Sequence, residues 1–303
     1  MKSLKQYLKH PSLIKDGFFN AKMDSKHAKS LSDKEYISIL FKHKMGRPIN
    51  LEKPTSFNEK LQWLKLNDIH EEFTDLSDKI KVKEIISNLL GKEYIVPTLK
   101  IYNSPNEIDF DELPEKFVLK CNHDSGSVIV CRNKNTINKK EILKKLNRFL
   151  KTDFYLNSRE YPYKNIERKI FAEQYIETSE TKGIIDYKFY CFEGTPKFLY
   201  VSQGLENHKT ASISFYDLQG NKMPFKRADF AELDSFIMPK NFDVMVKLAE
   251  KLAKYSKAKF VRVDLYTVND KIYFSEFTFF PCGGFMPFDP PEQDEEIGKL
   301  LSV

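Results

Sequence analysis

The sequence lacks the features that define several classes of protein. Its four cysteines form no CxxC pair and follow no regular spacing, so we expect reduced thiols in a cytoplasmic protein rather than a disulfide framework. No stretch is long and apolar enough to span a bilayer, and the charged N-terminus has no apolar core of the kind found in secretion signals. Internal repeats, low-complexity tracts and convincing Ser-His-Asp or Cys-His combinations are also missing.

Positive charge is present but is not concentrated. The chain has 303 residues, with 49 Lys and Arg against 43 Asp and Glu, and the lysines are spread along its whole length. Nucleic-acid binding requires a dense basic face, so we expect no nucleic-acid partner. A net charge of +6 suits phosphorylated or acidic substrates. With 41% hydrophobic and 30% charged residues, the composition is typical of a globular protein with more than one domain.

The first part of the sequence is predicted to be mostly helical. One helix ends at Gly46, and a second carries a capping box of Ser56 and Glu59 ahead of an apolar face. A third helix is capped by Ser77 and leads into a short strand near residues 95–96.

After Pro114 the pattern changes to strands and hairpins. Short apolar runs bounded by turn residues predict strands, and two amphipathic stretches predict helices. The predicted strands lie in KFVLKC, SVIVC, RKIFAEQYI, DYKFYCFEGTPKFLYVSQ and FVRVDLYTVNDKIYFSEF, and the predicted helices are NKKEILKKLNRFLK and NFDVMVKLAEKLAKYS. Because hairpins dominate, an α+β fold with antiparallel sheets is favoured over a doubly wound parallel sheet. A polar, proline-punctuated stretch places a domain boundary near residues 104–116.

A short polar loop links the first two of these strands. Lys120 ends the first strand, and the loop contains Asp124, Ser125, Gly126 and Ser127. Glycine permits a tight backbone, serine supplies hydroxyl and N–H donors, and the lysine adds a cation, so such a loop can fold over a polyphosphate. The GxxxxGK[ST] spacing of a Walker A loop is absent and no helix follows, so an ordinary hairpin turn is favoured for the loop considered alone.

Charged residues interrupt the apolar hairpin near the end of the chain. Arg262 and Asp264 share one face of its first strand, and Glu276 lies on its second strand. A three-residue loop at Val268–Asp270 would set Arg262 opposite Glu276, with Asp264 one pair further in. A two-residue loop would bring Ser275 to that face instead and would separate the charges.

If these charges converge, they suit a metal and a phosphate. An Asp and a Glu at close range need a cation between them, because like charges would otherwise raise one pKa strongly. Two carboxylates with phosphate oxygens are the ligands that Mg²⁺ prefers, and an adjacent Arg can hold a phosphate or carboxylate. The alternative is a structural ion pair between Arg262 and Glu276. Gly283 and Gly284, just beyond, would bring backbone and N–H donors close to a substrate oxyanion, or would form a plain turn.

Six stretches of the sequence, in order, carry a family resemblance. They are INLEKPTSFNEKLQWLKLND, LSDKIKVKEII, YIVPTLKIYNSPNEIDFDELPEKFVLKCNHDSGSVIV, KNIERKIFAEQYIE, DYKFYCFEGTPKFLYV and FVRVDLYTVNDKIYFSEFTFFPCGGFMPFDP. From about Ile49 to Pro290, the chain resembles the TupA-like ATP-grasp family, named for teichuronopeptide synthesis and found in bacterial surface-polysaccharide gene sets. The resemblance implies an α+β ATP-grasp fold, in which two antiparallel subdomains grip ATP.

The resemblance also implies nucleotide-binding roles. Lys79 and Lys120 are similar to the two lysines that reach the ATP phosphates in ATP-grasp ligases. Residues 124–128 resemble the lid over the β- and γ-phosphates, and residues 173–176 resemble the hinge that binds adenine. By residue these are Asp124, Ser125, Gly126, Ser127 and Val128 in the lid, and Glu173, Gln174, Tyr175 and Ile176 in the hinge. Glu180 would hold the ribose, with Glu177 as the alternative.

Metal and catalytic roles follow from the same resemblance. Asp264 and Glu276 resemble the two Mg²⁺ carboxylates, and Arg262 resembles the arginine that steadies acyl-phosphate and tetrahedral states. Thr278 stands where many ATP-grasp ligases have an asparagine as a third metal ligand, which leaves a second metal open. Lys188 matches a basic residue near the phosphates or the acceptor, with a solvent-facing strand lysine as the alternative. The implied catalytic groups are Arg262, Lys188 and Lys120.

The implied function is a ligase that uses ATP and Mg²⁺. It would activate a small-molecule or glycan carboxylate as an acyl-phosphate and couple it to an amine, in surface-polysaccharide synthesis. The alternatives are a phosphotransferase acting on a sugar and a non-catalytic carbohydrate- or partner-binding module. We expect an N-terminal extension (1–48), a helical region (49–112) and ATP-grasp subdomains at 113–180 and 181–303. Residues 1–19 suggest a basic amphipathic helix that docks on its own domain or contacts a membrane surface.

Overall fold

The computed structural model describes most of the chain. The described residues are Phe19, Met23, 26–177, 184–204, 211–233, Ser235 and 238–303. The chain divides into two compact units, Met1–Ile49 and Asn50–Val303. The amphipathic helix suggested for the first 19 residues lies almost entirely outside the described residues.

The first unit contains two described helices, α1 (Lys26–Ser30) and α2 (Asp33–Met45). Ser32 begins α2 with a capping box that satisfies backbone N–H groups of the first turn. Gly46 ends α2 in the left-handed region, at φ 72°, which confirms the helix end predicted from the sequence.

The second unit begins with three helices, α3 (Phe57–Asn67), α4 (Glu72–Ser77) and α5 (Lys81–Leu89). The predicted capping box of Ser56 and Glu59 is confirmed at the start of α3. A buried face of α3 contributes Phe57 and Leu61 to the main hydrophobic core.

The prediction that Ser77 caps the third helix is wrong. Ser77 ends α4, and Asp78 takes over the capping role, since its Oδ1 accepts the N–H of Ile80 at 2.8 Å. The N–H of Lys79 bonds to the carbonyl of Asn122 at 3.1 Å. This tertiary bond holds Lys79 outside the helix and beside the polar loop.

The strand expected near residues 95–96 begins later, as β1 (Thr98–Tyr102). The carbonyl of Val96 accepts from Nζ of Lys83 at 2.9 Å instead of from a neighbouring strand. The carbonyl of Pro97 then accepts the N–H of Gln174 at 3.0 Å, and regular pairing starts beyond it.

The first sheet has four antiparallel strands in the order β1-β4-β2-β3. Its other strands are β2 (Phe117–Cys121), β3 (Val128–Cys131) and β4 (Ile170–Gln174). Helix α6 (Lys139–Lys151) packs on β2 and buries Ile142 and Leu146 in a separate, smaller core. The short helix α7 (Tyr155–Ser158) and a 3₁₀ turn at Tyr161–Tyr163 lead back to β4.

The second sheet has five antiparallel strands in the order β10-β9-β5-β6-β7. They are β5 (Ile185–Phe192), β6 (Thr195–Gln203), β7 (Ser212–Asp217), β9 (Phe260–Val268) and β10 (Lys271–Thr278). Helix α8 (Phe242–Ser256) packs on this sheet, and helix α9 (Gln293–Gly298) packs on α3. A small ribbon pairs β8 (Lys226–Arg227) with β11 (Phe288–Asp289). The fold is therefore α+β with antiparallel sheets, as the sequence predicts.

Candidate active site

Strands β9 and β10 form a hairpin whose register differs from the predicted one. The turn has two residues instead of three, and a bulge at Ser275 then shifts the pairing. As a result Glu276 lies opposite Asp264, so the expected pairing of Arg262 with Glu276 is wrong. The bulge also prevents the separation of charges expected for a two-residue turn, because it returns Glu276 to the polar face.

Asp264 is fully buried on the polar face of the second sheet. Arg262 holds its carboxylate with two parallel bonds, Nε to Oδ1 and Nη2 to Oδ2, both at 2.7 Å. Lys188, opposite it on β5, donates from Nζ to Oδ2 at 2.6 Å. Lys188 is only 7% exposed, which excludes the alternative of a solvent-facing strand lysine.

Opposed charges keep these buried groups ionised. Burial alone would raise the pKa of Asp264, but Arg262 and Lys188 outweigh it and lower that pKa. Burial opposes the charge of Lys188, yet Asp264 and Asp186 raise the pKa of this lysine. Burial raises the pKa of Asp186, and it does so against the charge of Lys188. Asp264 is thus held as a carboxylate and Lys188 as an ammonium.

Glu276, on β10, is the second carboxylate of this cluster and is more accessible than Asp264 on β9. Its side chain is 30% exposed, and its Oε1 lies 3.7 Å from Nη2 of Arg262. The Thr278 hydroxyl accepts from Nη2 of Arg262 at 2.9 Å and lies 3.4 Å from Oε1 of Glu276. Both carboxylates therefore converge on one guanidinium, with Thr278 bonded between it and Glu276.

The donor atoms of this cluster fit a divalent cation that arrives with a phosphate. An ionised carboxylate offers about four lone-pair sites, and Asp264 uses three of them within the chain. Oε2 of Glu276 has no hydrogen-bond partner among the described residues. In the part of the chain that the structure describes, no group of three or more His, Cys, Asp or Glu could hold a metal. Two carboxylates leave most positions of an octahedral Mg²⁺ to phosphate oxygens and water.

On the first sheet, Glu173 lies between two lysines. Lys120 on β2 donates to Oε2 of Glu173 at 2.6 Å, and Lys83 on α5 donates to Oε1. Burial alone would raise the pKa of Glu173, but Lys120 and Lys83 lower it. Burial lowers the pKa of Lys83 in spite of this carboxylate. The cluster carries one negative and two positive groups, which leaves positive charge for an anionic ligand.

The polar loop after β2 is tied down at one side and open at the other. Lys79 donates from Nζ to the carbonyl of Asp124, and the Ser127 hydroxyl donates to the carboxylate of Asp124. Gly126 has a φ of 99°, with open space where a Cβ would lie. The outward-facing loop residues are Ser125, Gly126 and Val128. Lys79 is therefore bonded to the loop that follows Lys120, at the end of the first sheet.

The segment after β4 leaves the sheet where the adenine hinge was expected. Gln174 is exposed, whereas Tyr175 and Ile176 are half-buried. Glu177 is exposed and pairs with Lys116 at 2.5 Å. Glu180, the residue expected at the ribose, lies outside the described residues.

Two tyrosines lie within electrostatic range of charged groups on both sheets. Burial raises the pKa of Tyr266 on β9, and the charges of Glu173 and Asp186 both act on it. Burial likewise raises the pKa of Tyr163, on which the β10 carboxylate and Asp124 of the loop both act. Charged groups of both sheets therefore lie within electrostatic range of the same tyrosines.

A buried lysine joins three segments at the turn after β10. Lys65 on α3 is 3% exposed, and its Nζ donates to Gln62 Oε1 at 2.9 Å. The same Nζ donates to the carbonyls of Ser158 at 2.8 Å and Gly283 at 2.6 Å. Burial lowers the pKa of Lys65 to about 7, against the opposing charge of Glu160.

Three charged residues of this region were not predicted from the sequence. Asp186 lies two strand positions before Lys188, a spacing that puts both side chains on one face, so Asp186 could have been found from its neighbour. Lys83 has no such signal, because Lys79, four residues earlier, lies outside helix α5. Lys65 carries a weaker signal, a charged side chain on the apolar face of α3.

The turn after β10 offers fewer donors than predicted. The N–H of Gly283 bonds to the carbonyl of Phe280 at 2.8 Å, so it is not available for an oxyanion. A Cβ on Gly284, at φ 73°, would lie 2.4 Å from Nε2 of Gln62. The close approach expected of these glycines is therefore made to helix α3, because the turn Pro281–Gly284 packs against it.

Three ligases are among the solved structures to which the chain is similar. The chain is 15% identical to the D-alanine–D-alanine ligase of Bacillus anthracis, with a TM-score of 0.38, over 75% of this chain and 60% of that one. It is 15% identical to the enzyme of the same name from Helicobacter pylori, with a TM-score of 0.41, over 82% of this chain and 70% of that one. It is 11% identical to the L-amino acid ligase of Bacillus licheniformis, with a TM-score of 0.43, over 81% of this chain and 55% of that one. The chain thus spans less than two thirds of the first and third of these ligases.

Two antiparallel sheets with packed helices, one carrying a lysine cluster and the other a carboxylate cluster, are typical of an ATP-grasp fold. The profile of the TupA-like ATPgrasp family matches residues 59–302. The chain belongs to the TupA-like ATP-grasp family. No curated protein matches the sequence significantly. None of the described helices combines the length and apolarity needed to cross a membrane.

Proposed function

We propose that this protein is an ATP-dependent carboxylate–amine ligase. The convergence of Asp264 and Glu276 on Arg262 carries the proposal. It combines two oxygen ligands for a divalent cation with a guanidinium for an anionic reaction centre. Family membership supports the same chemistry.

The nucleotide would lie in the space between the two sheets. Lys79 and Lys120 would contact its phosphates under the lid at residues 124–128, and residues 173–176 would contact the adenine. Glu180 would hold the ribose. In this scheme residues 113–180 and 181–303 are the two ATP-grasp subdomains, preceded by the helical region 49–112 and the extension 1–48.

The metal would bind Asp264 and Glu276, with Thr278 placed to orient Glu276 through its hydroxyl. When bound, Mg²⁺ would neutralise charge on the β- and γ-phosphates. Arg262 and Lys188 would stabilise the charge that develops on the phosphoryl and acyl oxygens. No side chain needs to act as a nucleophile.

The proposed reaction consists of two transfers. An oxygen of the substrate carboxylate bonds to the γ-phosphorus, and the bond from that phosphorus to the bridging oxygen of ADP breaks. The amine nitrogen then bonds to the acyl carbon, and phosphate leaves with the former carboxylate oxygen. The amine loses a proton to solvent, so the net products are an amide, ADP and phosphate.

The substrates we propose are a uronic acid or amino-acid component of a bacterial surface polysaccharide and an amine, coupled in the cytoplasm. The family name and the four unpaired cysteines support this setting.

A coupled ADP-release assay tests the ligase. D-glucuronate and D-galacturonate would be paired with a panel of amines in the presence of Mg²⁺ and ATP, and products identified by mass spectrometry. We expect ADP release that requires the carboxylate, and an amide only when the amine is present. A phosphorylated sugar as the final product would identify a phosphotransferase, and ATP binding without turnover would identify a binding module.

A further inference from the structure

Arg227 is a buried arginine that the proposed chemistry does not use. It lies on β8, opposite Phe288 of β11, and is 8% exposed. Asp229, half-exposed, accepts from its Nε at 2.9 Å and its Nη2 at 2.6 Å. The guanidinium also lies over the ring of Phe230, 4.7 Å from its centroid. These contacts fix the plane and position of the guanidinium.

Arg227 retains donors that have no partner. A guanidinium has five N–H groups, and Asp229 takes two of them. Among residues that the structure describes, no acceptor lies within hydrogen-bonding distance of the other three, which include both N–H groups of Nη1. Arg262 has the same arrangement, since its bonds to Asp264 and Thr278 use only Nε and Nη2.

Two residues lie within electrostatic range of both arginines. Arg262 lies 5.3 Å from the ring centroid of Tyr200. Burial opposes the charge of Arg227, and Asp229, Cys282 and Tyr200 all act to raise its pKa. Burial raises the pKa of Cys282, and both Arg227 and Arg262 act against that rise. Tyr200 and Cys282 are therefore within electrostatic range of both guanidinium groups.

A buried hydroxyl in this region also lacks a partner. Tyr190 is fully buried, and its hydroxyl bonds to none of the described residues. Burial raises its pKa, and the charges of Arg262, Cys282 and Arg227 act on it too. An unsatisfied buried hydroxyl is costly, about 1–3 kcal/mol, so a ligand oxygen that reached it would recover that cost.

Arg227 lies further from the metal carboxylates than Arg262 does. Arg262 bonds directly to Asp264, whereas Arg227 bonds only to Asp229. An acyl-phosphate bound at the metal carboxylates would therefore contact Arg262 rather than Arg227. A group that reaches Arg227 therefore belongs to the partner that attacks the acyl carbon.

We propose that Arg227 binds a carboxylate carried by the amine substrate, so that this enzyme selects an amino acid over an uncharged amine. The proposal rests on the ligase function proposed above. One free N–H of Nη1 and the remaining N–H of Nη2 would bind the two carboxylate oxygens, and Asp229 would hold the guanidinium in position. Simple amines and amino-acid amides lack the charge that Arg227 would neutralise.

Matched amines test the proposal. ADP release would be measured with D-glucuronate, Mg²⁺ and ATP, and with the common amino acids and the amide of each as amine probes. We expect amino acids to be favoured over their amides. Arg227→Gln should raise KM for the preferred amino acid about 10- to 100-fold, leave the amide almost unchanged, and spare ADP release with glucuronate alone.

Two further variants make the test specific. Lys226→Met removes the same charge from the neighbouring position, where the side chain is 44% exposed, and should have no effect on selectivity. Arg227→Lys keeps the charge but loses the planar fork, and should restore part of the preference. Equal use of acids and amides, or an unaltered preference in Arg227→Gln, overturns this inference and leaves the ligase intact. Absence of ADP release with every pair overturns the ligase and the inference together.

Discussion

At the scale of single residues, the second sheet depends on a buried group of charges. Asp264 has no solvent contact and is neutralised by Arg262 and Lys188. Removing one member of such a group leaves the others poorly compensated in a medium of low polarity. The stability of the site and the cation binding proposed for it therefore rest on the same side chains.

Lys188→Met should destabilise the protein by about 3 kcal/mol, because the Asp264 carboxylate loses one of its two partners. Urea denaturation measures the change. Lys197→Met is a matched control, since Lys197 is exposed on the neighbouring strand and its loss should change the free energy of unfolding by less than about 0.5 kcal/mol. Equal effects of the two substitutions would show that the Lys188–Asp264 contact contributes nothing.

Lys65 gives stability a pH dependence of defined sign. Burial lowers its pKa to about 7 in the folded chain, whereas a lysine in an unfolded chain has a pKa of about 10.4. Between these values the unfolded chain binds a proton that the folded chain does not. The free energy of unfolding should therefore rise with pH in this window, by at most about 1.4 kcal/mol per unit.

Lys65→Met removes this titration. The stability of the wild type relative to the variant should increase from pH about 7 to pH about 10, as measured by urea denaturation at several pH values. Lys197→Met should show no such trend, since its side chain is exposed. A difference between wild type and Lys65→Met that stays constant across the window would mean that the Lys65 ammonium is not perturbed.

At the scale of elements, the β9–β10 hairpin places the acids through a turn and a bulge together. Residues before Ser275 follow the register of the two-residue turn, and residues after it are displaced by one. Deleting Ser275 should therefore produce a regular ladder in which Glu276 still lies opposite Asp264. We expect this deletion to retain nucleotide binding, measured with a fluorescent ATP analogue. Loss of binding to the level of Glu276→Gln would show that the bulge itself is required.

The turn after β10 is held close to helix α3 and should not tolerate a side chain. Gly284→Ala would place a Cβ 2.4 Å from Nε2 of Gln62 and would also strain a φ of 73°. Gly46→Ala is the control, because it has nearly the same φ, 72°, but open space around it. Gly284→Ala should cost at least about 1 kcal/mol more stability than Gly46→Ala in thermal or urea unfolding. Equal costs would mean that the packing on α3 is loose.

Individual elements were the part most accessible from sequence. Strands β2 to β6, β9 and β10, the Ser56–Glu59 capping box and the end of α2 at Gly46 follow from local patterns, and the structure confirms them. Strand β7 was not predicted, and β1 begins later than expected. The failures arise where tertiary bonds override local ones. Asn122 draws Lys79 out of the predicted helix, and the hairpin register depends on a bulge that alternation alone does not reveal.

At the scale of the whole molecule, the candidate site is assembled from segments far apart in the chain. Lys79 and Lys120 could be singled out through family resemblance, and so could Asp264 and Glu276. Arg227 could not, because β8 has only two residues and no motif surrounds it. Only the fold brings it to the region around Tyr200, where Arg262 also lies.

The central claim is that acids of the second sheet and lysines of the first bind one nucleotide through a divalent cation. Substitution of Glu276 tests it most directly, since this side chain is partly exposed and its loss should not unfold the buried Asp264 group. Isothermal titration calorimetry with Mg²⁺ and a non-hydrolysable ATP analogue measures the affinity directly. Glu250→Gln, the same change of charge at a surface pair with Lys254 on α8, provides the control. The account predicts that Glu276→Gln weakens binding by at least about 10-fold while Glu250→Gln binds like the wild type. Equal affinities for the wild type and Glu276→Gln would contradict it.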